Sequence, residues 1–149
     1  MRVFGFSLIE LLVALVVLAL LSAVAVPIYV QYADRTFRRE AQADLLRCAQ
    51  GMERLASVNF SYANAADSNG DGVGDALVGP VATAVCAGTS PERYRLSVAA
   101  SATDYVLTAT PIGPMAGSGV LTFDSAGRRA WDRDADGAVE PDAGENSWD

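Results

Sequence analysis

Between Phe6 and Val30 the chain runs for twenty-five residues with a single charge, Glu10. As a helix this stretch reaches about 37 Å at 1.5 Å per residue, enough to cross a hydrocarbon core. An apolar N-terminus of this kind is ordinarily a secretory signal peptide or a single-span anchor. Ala23-Val24-Ala25 even offers the small-residue pattern at which signal peptides are cut. Glu10 argues against both readings. A carboxylate inside an apolar helix costs on the order of 3 kcal/mol unless a cation meets it, so its presence implies a partner.

Gly5-Phe6-Ser7-Leu8-Ile9-Glu10-Leu11 supplies the context for that acid. Gly, then an aromatic residue, then Glu four positions later, then a long apolar helix carrying Pro resembles the prepilin processing motif of type IV pilins. The resemblance implies that a prepilin peptidase cuts between Gly5 and Phe6 and methylates the new amine of Phe6. Gly5 suits close approach of the peptidase to the backbone. The Glu10 carboxylate would then neutralise the Phe6 amine of a neighbouring subunit during assembly, a short-range pair that sets register in a low dielectric. Pro27 matches the position of the proline in other pilins. Its missing N–H and its ring are expected to kink or loosen the helix there.

Past Tyr32 the pattern becomes periodic. Phe37, Ala41, Leu45, Cys48, Met52 and Leu55 recur at intervals of three and four, the stripe of an amphipathic helix. Arg38, Arg39, Glu40, Asp44, Arg47, Glu53 and Arg54 are expected on the opposite side, and Gly51 is expected to be tolerated. One helix from Phe6 to Val58 would be about 80 Å long. A chain cleaved after Ala25 would have no use for that continuity.

Tyr94–Val98 and Tyr105–Thr110 alternate apolar and polar residues and are joined by Ser101-Ala102-Thr103-Asp104, which predicts a hairpin. Pro111–Gly119 reads as a loop, Val120–Phe123 as a third strand and Arg128–Trp131 as a fourth. An antiparallel meander has one face to bury, and the Cys48 stripe of the helix needs covering. The predicted class is α+β, a long N-terminal helix packed on a small antiparallel meander. Tyr105–Pro111, Leu121–Gly127 and Trp131-Asp132 further resemble the C-terminal half of E-type minor pilins, subunits found at or near the tip or initiation complex of twitching-motility pili. The expected organisation is a leader (1–5), a transmembrane and filament-core helix (6–30) and a globular domain (31–149). Within that domain a variable loop (59–90) precedes the sheet (94–131), and an acidic tail (132–149) follows it. The resemblance implies an inner-membrane precursor whose domain is periplasmic and later extracellular, with adhesion and twitching as expected roles.

An oxidising compartment favours pairing of Cys48 with Cys86. Closing that loop is worth about 3–4 kcal/mol on the chain-entropy account. Two acidic loops invite Ca²⁺. In Asp67-Ser68-Asn69-Gly70-Asp71-Gly72-Val73-Gly74-Asp75, oxygen ligands alternate with glycines, so Asp67, Asn69, Asp71, Asp75 and the Val73 carbonyl are candidate ligands. The run resembles the calcium repeats of thrombospondin type 3 domains and, more loosely, an EF-hand loop, although Val78 stands where an EF-hand has Glu. Asp132, Asp134, Asp136 and Glu140 repeat the spacing, with Arg133 as an intervening cation.

Composition narrows the function classes. All eleven basic residues are arginine and the chain has no histidine, which removes the commonest general base and any Schiff-base lysine. With only two cysteines as well, composition argues against an enzyme, and the resemblance implies a structural subunit that other pilin subunits recognise. The net charge of −7 disfavours a nucleic-acid partner. Two alternatives remain. A type II secretion pseudopilin shares the processing motif, although no Asp-Pro-Trp-Gly-like segment is present. An adhesin or DNA-uptake pilin could draw on Arg38/Arg39, Arg93/Arg95 and Arg128/Arg129.

Overall fold

The structure, a computed structural model, describes residues 7–137, 139 and 144–148. The chain divides into two compact units, Met1–Thr36 and Phe37–Asp149. Helix α1 spans Leu8–Asn59 and is helical through Pro27. The Ser7 carbonyl accepts from the Glu10 and Leu11 amides, and Glu10 lies in the first turn, where an acid complements the helix dipole.

In the second unit a five-stranded antiparallel sheet runs in chain order: β1 (Val78–Pro80), β2 (Tyr94–Ala100), β3 (Tyr105–Pro111), β4 (Leu121–Asp124) and β5 (Arg129–Trp131). The β2–β3 register pairs Tyr94 with Pro111 and Ala100 with Tyr105. Ser101 closes that hairpin by donating to the Asp104 carbonyl at 2.8 Å. Alternation sets the faces. Tyr94, Val98, Tyr105, Leu107, Ala109 and Leu121 are buried together with Ala41, Leu45, Cys48 and Met52 of α1. The predicted helical stripe is therefore the buried one, with Phe37 and Leu55 half-buried at its ends.

Three expectations change. The segment 59–90 is not simply a loop. It supplies β1, whose Val78 pairs with Ala99, and buries Ala65, Ala66 and Ala82 completely. Small residues and glycines gave this stretch no hydrophobic period, so its strand was invisible until β2 offered an edge. Gly51 is more than tolerated: a Cβ there would collide with the Val85 carbonyl oxygen, so the helix and this segment pack backbone to side-chain-free backbone. Asp44 lies on the buried side, not the solvent side, at 4% exposure. Its carboxylate accepts from the Thr89 amide and hydroxyl, each at 2.6 Å, and pairs with Arg47. Arg47 also donates to the Ala87 carbonyl and the Thr89 hydroxyl. The Cys48–Cys86 disulfide, with Cα atoms 5.1 Å apart, ties the same segment to the same helix one turn away.

The described residues of the acidic C-terminal segment also make contacts with the sheet and the helix. Trp148 donates its indole N–H to the Thr122 and Ala130 carbonyls at 3.1 Å, packs 5.9 Å from Phe123 and accepts from Gln42 through its own carbonyl. Glu145 is buried and accepts from the Arg133 amide at 2.7 Å.

Candidate functional site

The first unit offers one long apolar surface. Its helix is long and apolar enough to cross a membrane, and none of its most apolar stretch is buried. Glu10 interrupts this surface. Among the described residues the salt bridges are Arg47–Asp44, Arg93–Glu92 and Arg128–Asp124, so none engages Glu10. Gly5 and Phe6, the processing residues, lie outside the described residues.

The second unit carries both acidic loops. Around Asp67 the side chains fold back onto the loop's own backbone. Asp67 accepts from Gly70 and Gly72 at 2.7 Å and from Asn69 at 3.2 Å. These amides, Gly72 foremost, outweigh desolvation and hold its carboxyl below the usual range. Asn69 accepts from the Asp71 amide, Asp71 from the Val73 amide, and Asp75 from the Ser68 amide and hydroxyl. Asp67, Asp71 and Asp75 do not gather their carboxylates into one cluster. Asp132, Asp134 and Asp136 do: one oxygen from each lies within 4.8 Å of the others. Asp132 is buried, and it accepts from the Gly137 amide at 3.1 Å. Glu140 lies outside the described residues.

The arginines divide by environment. Arg93 lies 3.5 Å over the Phe37 ring, Arg38 4.0 Å over Trp131, Arg133 4.9 Å over the same indole and Arg129 5.2 Å over Trp148. These guanidiniums brace aromatic rings at the edge of the core. Arg39 and Arg95 are exposed, and Arg128 is exposed beside Asp124. Although burial raises the Asp124 carboxyl, hydrogen bonds from the Arg128 amide and guanidinium lower it by more. On the outer face of the sheet, register places Ser97, Thr108 and Thr122 in one row, with Arg95 opposite Thr110 beside it. A cleft of about 590 Å³ opens on that face, lined by Val106, Thr122, Asp124 and Arg128 among others.

Sequence reasoning missed the Asp44 latch and the Glu145/Trp148 closure. Asp44 carried a signal, since it sits between Ala41 and Leu45 on the apolar stripe. Trp148 carried one too, as a large apolar residue in an otherwise polar tail.

An apolar N-terminal helix that continues as the spine of a small antiparallel sheet defines a pilin. Residues 1–26 match the prokaryotic N-terminal methylation motif. Residues 27–122, more than half of the chain, match the family described as type IV minor pilin ComP, DNA uptake sequence receptor. The chain belongs to this family of type IV minor pilins. It is made as a membrane-anchored precursor and becomes part of an extracellular pilus, in assembly with other pilins. Searches of curated proteins and of solved structures found no match.

Proposed function

We propose that this minor pilin captures double-stranded DNA at the pilus surface for uptake. The match of residues 27–122 to a family described as a DNA uptake sequence receptor carries the reading. It revises the expectation drawn from net charge. Phosphate contacts are local, and arginine and hydroxyl side chains suffice to position a duplex. The outer sheet face offers Arg95, Ser97, Thr108, Thr110 and Thr122, with Arg128 at its β4–β5 turn. The test is retention of duplex DNA by the purified protein as salt is raised, in parallel with transformation of a deletion strain. Affinity should fall steeply with salt, and combined Arg95→Glu and Arg128→Glu should weaken it and reduce uptake. Retention indifferent to salt and to both substitutions would remove the reading.

Assembly is proposed to run through Gly5, Phe6, Glu10 and Pro27. Prepilin peptidase cleaves after Gly5, the methylated amine of Phe6 takes Glu10 of a neighbouring subunit as its counter-charge, and the helix loosens at Pro27. Glu10→Ala should leave processing intact yet keep the protein out of sheared filaments. Normal incorporation of that variant would refute the pairing.

Ca²⁺ is proposed as a ligand of the acidic loops. The converging oxygens of Asp132, Asp134 and Asp136, a hard-oxygen donor set, favour the second loop. Asp67, Asn69, Asp71, Asp75 and the Val73 carbonyl remain candidates at the first.

A further inference from the structure

We infer that Asn69 is a site of spontaneous deamidation, held in check by the Asp67 carboxylate that captures the attacking backbone amide. Asn69-Gly70 is the one Asn-Gly pair in the chain, and both residues are exposed. Gly70 has φ +83° and no side chain to shield its backbone from the neighbouring Asn69 side chain, and the space where a Cβ would stand is open. In the reaction the Gly70 nitrogen loses its proton and bonds to Asn69 Cγ. The Cγ–Nδ2 bond breaks and ammonia leaves. Water then opens the succinimide at one carbonyl or the other, giving Asp or isoaspartate. One water is consumed, one ammonia is released and the loop gains one negative charge, with no change of oxidation state.

Both reacting groups are engaged elsewhere in the folded loop. The Gly70 N–H donates to Asp67 Oδ1 at 2.7 Å. A carboxylate accepting that proton disfavours the amide anion that must attack. Asn69 Oδ1 accepts from the Asp71 amide at 2.9 Å, and Nδ2 donates to Asp71 Oδ2 at 3.2 Å, which holds the electrophilic Cγ in a fixed orientation. The loop therefore ages only when it opens. Either product adds a carboxylate among the candidate calcium ligands, and isoaspartate also adds a methylene to the backbone.

The experiment incubates the full-length protein in detergent at neutral pH and follows Asn69 by peptide mapping with mass spectrometry. A synthetic peptide covering 61–80 is followed alongside. Folded wild type should convert about tenfold or more slowly than the peptide, the factor expected from one hydrogen bond to a charged group. Asp67→Ala should recover most of that difference, and Asp67→Asn, which keeps a neutral acceptor, should fall between. Circular dichroism establishes that each variant is folded. Should Asp67→Ala not fold, the comparison of wild type with peptide decides alone. Conversion of the folded wild type at the peptide's rate overturns the inference, as does a folded Asp67→Ala that converts no faster than wild type.

Discussion

Asp44→Ala tests how firmly the 86–90 segment is fastened to α1. The carboxylate is 4% exposed and receives two bonds from Thr89 at 2.6 Å as well as the Arg47 guanidinium. Hydrogen bonds to a charged group contribute about 1.5–3 kcal/mol each, but the three do not add. Arg47 has a side chain 50% exposed and recovers water, and the Thr89 hydroxyl keeps Arg47 as a neighbour. The Thr89 amide remains as the group that loses its acceptor. A net loss of about 2–3 kcal/mol is expected, a substantial share of the roughly 5–15 kcal/mol that holds a domain folded. For a unit of this size it corresponds to a fall in Tm of roughly 10 °C. Asp44→Asn, which keeps the shape and one acceptor, should lose about 1 kcal/mol. Exposed Arg39→Ala should change stability by less than about 0.5 kcal/mol. Urea unfolding in detergent, followed by the fluorescence of Trp131 and Trp148, reports on this unit directly. An Asp44→Ala variant within about 0.5 kcal/mol of wild type would refute the latch.

Gly51→Ala should destabilise by about 1–3 kcal/mol or prevent folding, although Ala is the better helix former, because its Cβ meets the Val85 carbonyl; a gain in Tm would contradict the packing described. Reducing Cys48–Cys86, a separation of 38, should cost about 4 kcal/mol of unfolding free energy by the loop-closure relation, read from urea midpoints with and without reductant. Chelation by EDTA should lower Tm and added Ca²⁺ restore it, with Asp132→Ala blunting the response; calorimetry indifferent to both would leave the loops as ordinary turns. Asp124 has its carboxyl lowered on folding, so its contribution is present above the ordinary aspartate range and disappears as pH falls through the lowered value. The stability gap between wild type and Asp124→Asn should accordingly close on acidification, and a gap that widens would reverse the assignment.

The N-terminal half was legible from the sequence because its constraints are local. A long apolar run can only satisfy its backbone as a helix in lipid. The spacing of Phe37, Ala41, Leu45, Cys48, Met52 and Leu55 fixed which side of the helix would be covered, and alternation in 94–98 and 105–110 fixed the hairpin that covers it. The pairing of Cys48 with Cys86 followed from compartment and number.

Tertiary structure decided the rest, since those features depend on partners distant along the chain. Val78–Pro80 becomes a strand only because β2 presents an unpaired edge to it. Asp44 is buried because Thr89, forty-five residues on, brings an amide and a hydroxyl to it. Asp132, Asp134 and Asp136 share a spacing with the earlier loop, yet only theirs gather their oxygens. Carboxylates of both loops accept from their own loop's amides, but Asp132 is buried whereas Asp71 and Asp75 are exposed. Spacing sets which groups can meet, and which of them do meet depends on how the remainder of the fold anchors the loop that carries them.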